Sequence, residues 1–95
     1  MLYDEFIKAA SKAGVDTGLP SYFQSIDDEA LYPPAELADH VGVSAETIRG
    51  YCRQNELKSI GITHYRIPGI EAKRFMFKKI FKRIPIHIRN IVNHY

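Results

Sequence analysis

A second cysteine is missing from this 95-residue chain, so Cys52 forms no internal disulfide and anchors no cysteine-built zinc site. A lone free cysteine is most often an interior side chain, and Cys52 falls four residues after Ile48, on the same side of any helix. It is read as core. Also missing are a glycine-rich phosphate loop, paired carboxylates in an evident cleft, and a nucleophile with a base at recognisable spacing. The chain is therefore read as a non-enzyme. His40, His64, His87 and His94 are scattered, with no cysteine or carboxylate spacing to join them, so no metal and no cofactor is expected. No apolar stretch reaches membrane-spanning length, and the acidic N-terminus is unlike a signal peptide. The expected location is the cytoplasm, with no membrane partner.

What is present suits one small folded domain. Hydrophobic residues at 45% and charged residues at 25% lie within the ordinary globular range, and the length suffices for one core. The net charge of +2 conceals a dipole. Residues 1–45 hold two lysines against eight carboxylates, six net negative charges, and residues 46–95 hold eleven Lys and Arg against three carboxylates, eight net positive. A basic half of this kind suits a phosphate-bearing partner.

Most of the organisation lies between Leu31 and Pro68. Pro33-Pro34 suits the first turn of a helix, because its φ is preset and its missing N–H has no partner to lose there. Leu37, Ala38 and Val41 share one face, with Glu36, Asp39 and His40 on the other. Gly42 then ends the helix, and Val43 is placed to tuck under the turn. Ser44, with Glu46 in the first turn and Thr47 three positions on, caps a second helix running to Gln54. Leu57–Ile60 and Tyr65–Ile67 flank Gly61-Ile62-Thr63-His64 and read as the two arms of a β-hairpin. Two helices across a tight turn, followed by a hairpin, give a mostly α chain with a small β-hairpin: a winged helix-turn-helix with N- and C-terminal helical extensions.

These residues resemble the winged helix-turn-helix of phage and transposon excisionases and of the DNA-binding end of MerR-type regulators. The resemblance rests on Pro34-Ala35-Glu36-Leu37-Ala38, Gly42-Val43-Ser44, Thr47-Ile48-Arg49 with Tyr51, and Tyr65-Arg66-Ile67-Pro68, and covers residues 31–78. It implies sequence-specific binding of double-stranded DNA by an excisionase-like architectural or regulatory factor, working with a recombination or replication machine. A compact transcriptional repressor and a phage packaging adaptor of the small-terminase type are the alternatives. Where such proteins often carry basic residues after the cap serine and before the recognition-helix aromatic, this chain has Ala45 and Gly50.

In a helix beginning at Ser44, Ile48, Tyr51 or Cys52, and a residue near Asn55 face inward, whereas Glu46, Thr47, Arg49, Gly50 and Arg53 face outward. Arg49 is the expected base reader, since a guanidinium donates two hydrogen bonds to guanine. Ser44 and Thr47 are short enough for a phosphate or a thymine methyl, and Arg53 is assigned to the backbone. Glu46 either accepts from cytosine or simply complements the helix dipole, the reading favoured here. Tyr51 either bonds a phosphate through its hydroxyl or bridges core and surface with its ring. On the wing, Lys58, Thr63, His64 and Arg66 are expected at phosphates or in a minor groove.

The flanks divide as residues 1–30, an N-terminal helix and acidic arm, and residues 84–95, a short C-terminal helical segment, around a core of 31–83 that includes the helix after the wing. Leu2, Phe6, Ala9, Ala10 and Ala13 predict an amphipathic helix stopped by Gly14. Tyr22, Phe23 and Ile26 form an apolar knot before Asp27-Asp28-Glu29, expected to pack back on the winged core, while the acidic arm could lie against the basic half. Gly69–Arg83 reads as a helix carrying Ile70, Phe75 or Arg74, Phe77 and Phe81. Its Lys73, Arg74 and Lys78 are weaker candidates for the DNA backbone. Pro85 ends or kinks it, and Ile84, Ile86, Ile88, Ile91 and Val92 predict a further helix through His94, too short for the usual MerR coiled coil. Its apolar face is either core or an oligomer surface. Expected partners are thus double-stranded DNA, further copies of the chain assembling on it, and a recombinase, replication or packaging protein, placing the protein at the nucleoid.

Overall fold

Chain order in the structure, a computed structural model describing residues 2–93, is α1 (Tyr3–Ala13), α2 (Tyr22–Ser25), β1 (Leu31–Tyr32), α3 (Pro34–Val41), α4 (Ala45–Arg53), β2 (Ile67–Pro68), α5 (Gly69–Ile80), a 3-10 turn Phe81–Arg83, and α6 (Ile86–Asn93). Local signals set α3 and α4. Pro34 occupies the first position of α3, the Gly42 N–H closes it on the Ala38 carbonyl at 2.8 Å, and Ser44 Oγ accepts the Thr47 N–H at 3.1 Å to open α4. Such a cap is worth about 1 kcal/mol. Leu37 and Ala38 from α3 meet Ile48 and Cys52 from α4 in the first apolar cluster. Val43, expected to tuck under the turn, instead stays 40% exposed.

The sheet differs from the expected hairpin. Its two strands are β1 and β2, antiparallel, with Leu31 opposite Pro68 and Tyr32 opposite Ile67. The wing itself is held by one bridge, Ile60 N–H to Arg66 O at 2.7 Å and Arg66 N–H to Ile60 O at 2.9 Å. The physical reason lies just upstream. Asn55 adopts φ 59°, and the chain turns so that Leu57, expected in a strand, inserts into the first cluster. The third inward position after Ile48 and Cys52, expected near Asn55, is Leu57, while Asn55 itself is exposed.

A second cluster joins the two ends of the chain. Phe6, Ala9 and Ala10 of α1, Phe23 of α2, Phe77 of α5, Ile84 and Val92 bury one another. Helix α5 serves both clusters, giving Ala72 and Phe75 to the first and Phe77 to the second. The knot expected on the winged core is accordingly split, with Ile26 in the first cluster and Phe23 in the second. Pro85 ends the preceding helical run, leaving Ile84 extended as a residue before proline prefers, and its carbonyl accepts the N–H groups of Ile88 and Arg89. The apolar face predicted for α6 is divided: Val92 is buried, whereas Ile86 and Ile91 are exposed. His94 lies outside the described residues.

The first turn of α5 is satisfied by a loop more than thirty residues earlier. Gly69 N–H donates to the Ala30 carbonyl at 2.8 Å and Ile70 N–H to that of Asp28 at 3.1 Å, which supplies partners for helix-end donors that have none within the helix. Asp27 braces the loop by donating its N–H to the Tyr32 hydroxyl at 2.8 Å and accepting the Glu29 N–H at Oδ1.

Candidate nucleic-acid interface

Helix α4 turns Ile48 and Cys52 into the core and leaves Ser44, Glu46, Thr47, Arg49 and Arg53 exposed. Burial pushes the Cys52 thiol above its usual pKa, so it stays protonated and unreactive at neutral pH. On the exposed side Glu46 is a hub. Its Oε1 accepts from Arg53, and its Oε2 lies 3.7 Å from an Arg49 nitrogen. The bond from Arg53 and then its charge hold the Glu46 carboxyl below the usual range, so these pairs persist through neutral pH and are lost only as pH falls through that lowered value. The Ser44 and Thr47 hydroxyls lie 2.8 Å apart at the cap.

Glu46 thus orders two guanidinium groups while cancelling part of their charge. Glu46→Gln is expected to tighten binding to a duplex of mixed sequence at low salt. It should also steepen the dependence on salt, by about 0.9 in logarithmic slope for each phosphate newly neutralised. Fluorescence anisotropy across a salt series reads both quantities, and an unchanged slope would show that the two arginines are already fully available.

The wing lies beside this helix. Arg49 shares a cleft of about 250 Å³ with Thr63, His64 and Arg66 of the wing and with Pro33, Pro34 and Ala35 at the start of α3. Arg53 shares another, of about 530 Å³, with Lys58, Asn55 and Ile62. Helix and hairpin residues far apart in sequence are therefore brought together around two openings. Tyr51 is half-buried, its ring 4.8 Å from that of Phe75 and covered by Lys79 Nζ at 5.0 Å, so the ring bridges core and surface.

The helix after the wing requires a correction. Lys73 is only 7% exposed, and its ammonium lies 2.7 Å from Asp28 Oδ1. Arg74 donates to Asp4 and Glu71, each at 2.7 Å. Lys73 is thereby withdrawn from the surface, whereas Arg74 stays exposed while paired with carboxylates. Both positions pair with acids of the N-terminal segment, Lys73 with Asp28 and Arg74 with Asp4. Lys78 remains exposed, beside Lys79 in a cleft with Asn55, Glu56 and Phe75. Lys79 was missed in the sequence, although its spacing of four from Phe75 was a usable signal.

Among the described residues, no group of three or more His, Cys, Asp or Glu side chains is placed to hold a metal ion. No described helix is long and apolar enough to cross a membrane.

Residues 31–76 match the family model of a helix-turn-helix domain. The match begins at β1, takes in α3, the turn, α4 and the wing, and ends within α5. It covers just under half of the chain and supports DNA binding by a small helix-turn-helix protein. No curated protein and no solved structure matches the chain.

Proposed function

We propose that the protein binds specific sites in double-stranded DNA, with α4 in the major groove and the wing against the neighbouring strand. The observation that carries this reading is the convergence of Arg49 with Thr63, His64 and Arg66 on one cleft beside the exposed polar face of α4. A helix offering arginine to base edges, with other cations flanking it, separates reading from positioning as duplex recognition requires. Ser44, Glu46, Thr47, Arg49, Tyr51 and Arg53 form the helix part of the site, and Lys58, Thr63, His64 and Arg66 the wing. Lys78 is an outlying backbone contact. Lys73 is left out because it is buried against Asp28, and Arg74, exposed but shared with Asp4 and Glu71, is a weaker backbone contact.

An excisionase-like role, architectural or regulatory and exercised at the nucleoid beside a recombination or replication machine, is the finer part of the proposal. It assigns the chain no reaction of its own. Several copies assembling on adjacent sites would give extended, cooperative footprints. A single palindromic operator would point to a repressor, and a ring-sized oligomer with little sequence preference to a packaging adaptor.

The direct test is genomic footprinting of the protein beside Arg49→Ala. The variant is expected to lose about 1–3 kcal/mol of binding free energy and to relax its choice at one base position. Full retention of affinity and site choice would remove Arg49 from the reading role. Failure of the unaltered protein to retain any duplex at low salt would end the proposal.

A further inference from the structure

The wing carries the most exposed large apolar side chain among the described residues. Ile62 is 89% exposed at the apex of the loop closed by Ile60 and Arg66. Single apolar residues on a surface are ordinary, so exposure by itself decides nothing; the surroundings do. Gly61 has φ +90°, and a Cβ there would come within 2.7 Å of the His64 carbonyl oxygen, so the apex is a tight turn that only glycine fits at that position. The isoleucine therefore projects from a tightly turned apex. It lines the cleft shared with Lys58 and with Arg53, whose charge Glu46 cancels in part, and no carboxylate occurs in the sequence between Glu56 and Glu71. An apolar point among cations fits a polyanion whose interior is apolar. It does not fit the same apex of a second copy, which carries the same charge.

We propose that Ile62 is a wedge that enters the minor groove and inserts between two stacked base pairs, with Lys58, Arg53 and Arg66 holding the phosphates around it. This rests on the duplex-binding reading above. An aliphatic side chain driven into a base step gains burial at the expense of unstacking, which is least costly at pyrimidine–purine steps. Ile62 thus adds a preference for a deformable step at a fixed distance from the bases met by α4, with no hydrogen bond to any base.

The test is selection of duplexes from a random-sequence library by the unaltered protein and by Ile62→Ala. It is followed by binding to the selected duplex with 2-aminopurine at the enriched step. The unaltered protein should enrich a pyrimidine–purine step at constant spacing and brighten the 2-aminopurine on binding. Ile62→Ala should keep the Arg49-dependent bases, lose the step, bind on the order of tenfold more weakly and leave the probe quenched. Ile62→Leu should restore all three. Selection of duplexes without a preferred step, or equal brightening by Ile62→Ala, overturns the wedge while leaving duplex binding intact. A change of oligomeric state in Ile62→Ala with unchanged DNA binding also overturns it, by making the apex a protein contact. Retention of no duplex by the unaltered protein at about 50 mM salt, where phosphate contacts are strong, sinks the duplex reading and the wedge together.

Discussion

Replacing Gly69 by alanine is expected to lower stability by about 3–5 kcal/mol, through overpacking of about 1–3 kcal/mol and the loss of roughly 1 kcal/mol for each hydrogen bond broken. An added Cβ would lie 1.8 Å from the Asp27 carbonyl oxygen and 2.8 Å from its carbon, both backbone atoms, so no rotamer change relieves the clash. The loop must retreat. In doing so it gives up the bonds from Gly69 to Ala30 and from Ile70 to Asp28, and loosens Asp28 from the ammonium of Lys73. For a domain of this size the loss corresponds to a fall in Tm of about 15–30 °C. Thermal unfolding followed by far-UV circular dichroism measures it. A shift of a few degrees would mean that the loop and α5 are not locked as described.

The second large effect is expected at Phe77, which is 1% exposed. Its ring centroid lies 5.1 Å from that of Phe6, 5.6 Å from that of Tyr3 and 5.4 Å from that of Phe81. Phe77→Ala removes the side chain that ties α5 to α1 and to the 3-10 turn, at a cost of about 3–5 kcal/mol. The damage should be uneven. Because Phe77 belongs to the second cluster, amide exchange is expected to rise most in α1 and α6 and least in α4, whose Ile48 and Cys52 sit in the first. Uniform loss of protection along the chain would show that the two clusters unfold as one.

These effects also mark the limit of what the sequence discloses. Helices α3 and α4 were legible because their signals act within a few residues: proline at the first position, glycine after the last turn, and a serine whose oxygen meets an N–H three residues on. The exposed face of α4 followed from the same periodicity. The ion pairs of Lys73 and Arg74 were not legible because their partners, Asp28 and Asp4, lie 45 and 70 residues away in the chain. The acids at 27–29 were visible, but nothing local indicated that their loop would close the start of α5. The wing was found and its strands overstated, since β-branched composition describes a pleated surface without fixing where pairing begins. Tyr32 lies opposite Ile67 for the same kind of reason, a long-range match that no short window contains.

Since Leu31 faces Pro68 across the short ladder, the chain enters and leaves the intervening segment through a single neck. Helix α4 and the wing apex both lie within the segment that this neck closes. Drift in the terminal layer would therefore change how firmly this segment is mounted before it changed the segment's own geometry. Residues 33–66 are then a unit that can be exchanged whole, provided that the seat formed beneath by Ile26, Ala72 and Phe75 keeps its shape.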